Sequence, residues 1–171
     1  MWKPKEITGM PLKKEYVVGD MFESGAQAYV VPVNCQGTAG AGLAKQFKKR
    51  YPRWYREYRM FCKAGNLSPG FVLSTTLLKP MLDEGPDEIL SFPTKTRWRW
   101  PAQIQFVEMS MHGLLSVVNR EDIKSVAMPH VGCGLGGLKW KDVKAILDKY
   151  LPQQRALYEV YEYTARADSR L

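Results

Sequence analysis

No apolar run in this 171-residue chain approaches the roughly 20 residues that a membrane-spanning helix needs. The opening Met1-Trp2-Lys3-Pro4-Lys5 lacks the apolar core of a secretory signal. Cysteine is scarce: Cys35, Cys62 and Cys133 are odd in number, widely spaced and form no CxxC. That argues against a disulfide framework and a zinc site, and it fits a reducing cytoplasm. His112 and His130 are the only histidines. No HExxH, Ser-His-Asp order or paired-carboxylate motif is present, so hydrolase chemistry of those kinds has no support. Neither GxGxxG in register with a strand nor GxxxxGK followed by Ser or Thr occurs, which disfavours dinucleotide folds and ordinary triphosphatases. No repeat, linker or low-complexity tract divides the chain. Residues 1–171 read as one domain, with a core over about 15–163 and flexible termini.

Acidic residues are also few. Lys plus Arg number 25 against 17 Asp plus Glu, a formal net charge of +8. The excess favours a polyanionic partner, nucleic acid among them, or serves solubility alone.

What is present in quantity is glycine in two loops. His130 to Trp140 reads HVGCGLGGLKW, with Gly132, Gly134, Gly136 and Gly137 between an apolar run and an amphipathic helix. Gly37, Gly40 and Gly42 form a second loop, again after an apolar run and before a helix. Backbone N–H groups in such loops can approach a ligand closely and make a concave anion site. Each loop alone reads better as a tight strand-to-helix turn. Two in the same context favour a phosphate-bearing ligand gripped from both sides.

The hydropathy pattern places strands at Glu15–Val18, Ala28–Val33, Phe71–Leu78, Glu88–Phe92, Ser125–Met128 and Ala156–Tyr163, the last alternating. Helices are expected over 43–51, ended by Pro52, then around Trp54–Cys62, over 104–118, and from Trp140 to Pro152. Residues 79–87 read as a loop and 165–171 as a frayed tail. Alternating strands and helices predict a three-layer α/β/α domain with a mixed, largely parallel sheet of about six strands. Both glycine loops and Lys95 follow strands directly, so they should converge on one edge of that sheet.

Individual residues carry paired readings. Asp20 could accept a hydrogen bond from an exocyclic amine such as that of adenine, or cap a turn. Asn34 could hold a ribose hydroxyl or cap its own turn. Lys95 could contact phosphate or, if desolvated, act as a nucleophile. Arg97, Trp98, Arg99 and Trp100 form either a surface basic segment or a stacking platform for single-stranded nucleic acid. His130 could touch ligand or be structural, and His112 reads as a helix-surface residue. Cys133 lies where loop N–H groups could lower its pKa, but reads as a small filler.

Taken in order, Val18-Gly19-Asp20, Val33-Asn34-Cys35 through Gly42, Pro93-Thr94-Lys95, and His130 through Trp140 resemble a macrodomain, the ADP-ribose-binding α/β module. The resemblance spans Tyr16 to about Tyr163. Within the family it points to the branch of terminal ADP-ribose protein glycohydrolase and DarG-type antitoxins, which remove ADP-ribose from thymidine in single-stranded DNA. The resemblance implies an ADP-ribosyl glycohydrolase without cofactor or metal, cytoplasmic and monomeric, with no membrane partner. It implies adenine contact at Asp20, distal-ribose contact at Asn34 and the first loop with Gly37, Gly40 and Gly42, and a place in the ADP-ribose pocket for Met21 and Leu43. Thr94 and His130 would join the pocket, and Gly132, Cys133, Gly134, Leu135, Gly136 and Gly137 would clamp the diphosphate. Lys95 matches the catalytic lysine. The protein-deconjugating relative carries an aspartate where this chain has Gly136, and DarG-like sequences have glycine there, which leans toward DNA. DarG proteins usually carry a further toxin-binding domain, for which this sequence has no room. An ADP-ribose 1″-phosphatase, a non-catalytic ADP-ribose reader and a hydrolase of protein-linked ADP-ribose are the alternatives.

Overall fold

The computed structural model describes residues 6, 7, 10, 11, 14–79 and 83–162. A two-residue ladder, β1 (Glu6–Ile7) with β2 (Met10–Pro11), stands apart from the main sheet. That sheet has six strands: β3 (Lys14–Val18), β4 (Ala28–Val33), β5 (Leu73–Thr76), β6 (Glu88–Pro93), β7 (Ser125–Pro129) and β8 (Leu157–Glu162). Their spatial order is β3-β8-β7-β4-β6-β5. Every pair is parallel except β5 with β6. The expected three-layer, largely parallel architecture is therefore present.

Four helices cover the two faces: α1 (Gly42–Arg50), α2 (Pro52–Lys63), α3 (Ile104–Arg120) and α4 (Trp140–Tyr150). Strand side chains alternate between the two layers. Ala28 and Val30 of β4 join one core with Met111 and Leu114 of α3 and Val143 and Leu147 of α4. Tyr29, Val31 and Val33 join the other with Phe47 of α1 and Trp54 and Tyr58 of α2. Burial on both faces explains why β4 and β7 read as continuous apolar runs.

Three details differ from expectation. β5 is confined to Leu73–Thr76, because only those residues pair with β6. β8 does not alternate: Tyr158, Glu159, Val160 and Tyr161 are all buried. It lies between β3 and β7 rather than at an edge, so both its faces are covered. Pro152 does not stop the chain's helical course outright, since Leu151–Gln153 continues α4 as a 3-10 turn. Pro52, which ends α1, also opens α2, where its missing N–H costs nothing. The reading of 165–171 lies outside the described residues. Among the described residues, no helix is long and apolar enough to cross a membrane.

Candidate active site

The five parallel strands share a direction, so the segments after them leave the sheet at one edge. These are Gly19–Asp20, the first glycine loop, Thr94–Ala102 and the second glycine loop. Chain order reverses between neighbouring β4 and β7, the switch point where open α/β sheets leave a crevice. The two glycine loops flank that point. A separate open concavity lined by Thr76, Leu77, Leu78, Lys79 and Asp87 contains no residue of either loop. It gathers where β5 ends and β6 begins, at the far edge of the sheet.

The first loop is shaped by the side chain at its root. Asn34 is 7% exposed, and its Oδ1 accepts from Gln36 N at 2.9 Å, Thr38 N at 3.3 Å and the Tyr58 hydroxyl at 3.0 Å. Its Nδ2 donates to the Thr38 carbonyl at 2.9 Å. Tyr58 also donates to the Asn34 carbonyl at 2.7 Å. Asn34 therefore caps and organises the loop, the structural member of its paired readings. Gly37 has φ +81°, and a Cβ there would lie 3.2 Å from the Arg59 Cα. Only glycine meets both conditions without strain.

Between the loops runs the Lys95 segment, pinned on both sides. Cys35 N donates to the Thr96 carbonyl at 3.1 Å, and Trp98 N donates to Gln36 Oε1 at 3.0 Å. At the other end Ala102 N donates to the Gly136 carbonyl at 3.0 Å. Thr94 is buried beneath, its N–H donating to Val33 and its carbonyl accepting from Gln103. Lys95 is half-buried, and its Nζ donates to the Trp98 carbonyl at 3.4 Å. Burial pushes its pKa below the ordinary lysine value and biases it toward the neutral amine. Trp98 and Trp100 stand 49% and 48% exposed. The Arg99 guanidinium lies 4.7 Å over the Trp98 ring, and Arg97 lies 4.8 Å over Trp100. These cation–π pairs hold flat rings and positive charge side by side on the surface.

The second loop closes on its own backbone. Leu138 N donates to the Gly132 carbonyl at 2.9 Å and Gly137 N to the Gly134 carbonyl at 3.1 Å. A Cβ on Gly136 would lie 2.6 Å from the Gly132 oxygen and 2.8 Å from the Ala102 Cβ. The absence of an aspartate at this position is thus a packing requirement here. Gly40 and Gly134 are different: neither has a positive φ, and a Cβ at either would meet nothing within 4 Å. The fold gives no reason for glycine at these two, whereas close approach of a ligand to the backbone would. Leu135 is 75% exposed and reaches back to the first loop, its Cδ1 3.1 Å from a Cβ position on Gly42. The two loops therefore meet through Leu135 at the same edge of the sheet.

The remaining candidates divide. Asp20 is exposed and caps the 3-10 turn Met21–Glu23, accepting from Phe22 N at 2.9 Å. That is its turn-cap reading. Met21 sends its side chain into the core and is 5% exposed. Leu43 is partly buried against the α1–α2 core. His130 stacks on Trp140 with centroids 3.4 Å apart and planes within 5°, which gives it a structural partner. Burial lowers its pKa, opposed by Glu162. Burial pushes the Cys133 thiol up to about 11, which agrees with the small-filler reading and leaves no sign of loop N–H groups lowering it. It is a filler and not a nucleophile. His112 lies on the exposed face of α3 and packs edge-on against Tyr150. Among the described residues, no three His, Cys, Asp or Glu side chains gather as a metal site.

Gln36, Tyr58 and Ala102 escaped the sequence reading. Tyr58 had a signal, since a tyrosine at a buried helical position needs a partner for its hydroxyl. Gln36 and Ala102 had none, because their contacts join segments about 60 and 34 residues apart.

The macro domain family model matches residues 30–147. A DNA ADP-ribosyl glycohydrolase of Mycobacterium tuberculosis is 40% identical over 131 residues, covering 75% of this chain and 36% of that relative. The chain thus spans about a third of the length of that curated protein. More distantly, an ADP-ribose 1″-phosphate phosphatase of Meyerozyma guilliermondii is 23% identical over 168 residues, covering 81% of this chain and 94% of that one. Among solved structures, the macrodomain of Mycobacterium tuberculosis DarG superimposes with TM-score 0.80 at 34% identity, covering 88% of this chain and 98% of that one. Thermosipho africanus DarTG in complex with ADP-ribose gives TM-score 0.79 at 30% identity, covering 86% of this chain and 41% of that one. By family model, sequence and fold alike, this chain belongs to the macro domain family.

Proposed function

We propose that this domain is an ADP-ribosyl glycohydrolase that removes ADP-ribose from DNA, the activity that its relatives' names state, and that the acceptor is a nucleobase of a single strand. The observation that carries this reading is the Thr94–Ala102 segment, bonded to both glycine loops. It sets a half-buried lysine and two exposed Arg–Trp pairs on one short stretch at the cleft. A pocket for a free nucleotide needs no stacking platform at its rim, whereas a single strand does. The loop N–H groups hold the diphosphate and fix the distal ribose. In this reading the Asp20 carboxylate, exposed beyond the end of β3, accepts from adenine, Met21 supports that turn from the core, and Asn34 steadies the loop against the ribose. Lys95 acts at the anomeric carbon. As the neutral amine it attacks C1″ of the ring-opened distal ribose, the C1″–nucleobase bond breaks with the base leaving protonated, and water hydrolyses the resulting lysyl imine to free ADP-ribose and the amine. As the ammonium it polarises ribose or base while water attacks. Gly136 leaves no room for an acidic partner, which supports DNA over a protein-carboxylate substrate. We assign the domain to a reducing, cytoplasmic setting as a monomer, in keeping with three free thiols.

Lys95→Ala should abolish ADP-ribose release from modified single-stranded DNA while leaving ADP-ribose affinity within about threefold. Parallel assays offer ADP-ribosylated protein and ADP-ribose 1″-phosphate. Turnover confined to the phosphate substrate makes the domain a phosphatase; binding without turnover makes it a reader. If Lys95 is the nucleophile, turnover rises with pH as the neutral fraction grows, with a midpoint below the ordinary lysine value near 10.5. The same shift means the folded state binds fewer protons than the unfolded one, so Lys95 makes stability rise with pH between the lowered and ordinary values. Lys95→Met removes that contribution, so the variant's melting temperature should fall relative to wild type as pH is raised through that window.

A further inference from the structure

The positive charge of this protein is concentrated. From Gly42 to Lys63, α1 and α2 carry eight lysines and arginines against Glu57 alone, a net seven of the chain's formal eight positive charges. Solubility does not reward such clustering, because neighbouring like charges on a helix repel. Some of these charges have local roles. Arg53 pairs with Glu57 at 3.4 Å and donates to the Thr76 carbonyl. Lys48 covers the Tyr55 ring and Arg50 the Phe22 ring.

Arg56, Arg59 and Lys63 have no such use. α2 buries Trp54, Tyr58 and Cys62, at i, i+4 and i+8, so these three basic residues fall on the opposite, exposed face. None of them joins an ion pair among the described residues. At the helical rise they extend over about 10 Å. The ridge also reaches the active site. The Arg59 Cα is 3.2 Å from the position a Gly37 Cβ would take, inside the first glycine loop. One residue earlier in that loop, Gln36 holds the Trp98 N–H. Ridge, loop and Arg–Trp pairs are contiguous.

We propose that Arg56, Arg59 and Lys63 form a phosphate track that takes the sugar–phosphate backbone of the single strand flanking the ADP-ribosylated nucleotide. The proposal rests on the reading of the substrate as single-stranded DNA. The division of labour is physical: exposed Trp98 and Trp100 stack bases, while the ridge neutralises phosphates without regard to sequence. The track lies beyond the ADP-ribose pocket, so it acts on strand binding and leaves recognition of the small ligand alone.

The test is anisotropy of a fluorescein-labelled, unmodified oligonucleotide of about 20 nucleotides over a series of NaCl concentrations. Wild type is compared with the triple variant R56Q/R59Q/K63Q, with ADP-ribose affinity and melting temperature measured alongside. The variant should bind the strand at least tenfold more weakly at low salt. Its slope of log affinity against log salt should be shallower by about 2, at ~0.7 for each phosphate that is no longer neutralised. ADP-ribose affinity and melting temperature should not move. Equal strand affinity and slope in the two proteins overturn the track. Should the triple variant melt early, Arg56→Gln alone, on the outermost part of the ridge, should still reduce the slope by ~0.7. The two proposals fail separately. Loss of strand binding in the variant, with no release of ADP-ribose by wild type, upholds the track and removes the substrate reading. Turnover by wild type with an unchanged slope in the variant does the reverse.

Discussion

The two glycine loops share a composition and a position but are held in opposite ways. The first is held from outside its own backbone: the Asn34 side chain gathers Gln36, Thr38 and Tyr58, and Gly37 lies against the Arg59 backbone. The second is held mainly by itself, through Leu138 to Gly132 and Gly137 to Gly134, with the Ala102 N–H on Gly136 and Leu135 against Gly42 as contacts outside it. A side-chain scaffold can be removed with a single substitution, whereas a backbone closure can only be broken by overfilling it. Both arrangements leave one glycine unexplained by the fold, Gly40 in the first and Gly134 in the second. That shared residue of freedom is what a phosphate-binding loop needs from each side.

The comparison breaks most severely at Gly136. Gly136→Asp forces a Cβ against the Gly132 oxygen and the Ala102 Cβ. We expect about 3 kcal/mol of lost stability in chemical denaturation and at least 100-fold weaker ADP-ribose binding. Retention of native affinity would mean that the loop relaxes and that the backbone closure is not its support. Asn34→Ala comes next. It removes one donor and three accepted hydrogen bonds at a buried site, for about 2 kcal/mol and roughly tenfold in affinity. Calorimetry that finds stability unchanged would show the first loop to be self-supporting too. The smallest effect on stability belongs to Gly40→Ala and Gly134→Ala, which should stay within about 0.5 kcal/mol of the parent. Their ADP-ribose affinity should nonetheless fall severalfold, because the added methyl faces the ligand. Unchanged affinity in both would return these glycines to ordinary turns.

Much of the fold was legible from the residues, for identifiable reasons. Ala28–Val33 has the continuous apolarity of a doubly covered strand, and it is one. Trp54, Tyr58 and Cys62 repeat at helical spacing, and they are the buried face of α2. β8 misled, because tyrosines and glutamates in succession look alternating. Glu159 is in fact buried and accepts from the Ser24 hydroxyl at 2.7 Å, a partner 135 residues away. At Cys133 the filler reading agrees with the structure, where desolvation, which nearness to loop N–H groups in sequence does not show, raises the thiol pKa.

The sequence by itself determined the layers, the strands and helices, the order of the glycine loops and the lysine after β6, because periodicity and local chain stiffness are short-range properties. Only the tertiary structure decided how each loop is supported, why Gly136 tolerates no side chain, and that the basic face of α2 adjoins the first loop. Those depend on contacts between segments distant in the chain, such as Gln36 with Trp98 and Ala102 with Gly136, which exist only once the sheet brings its carboxyl edge together.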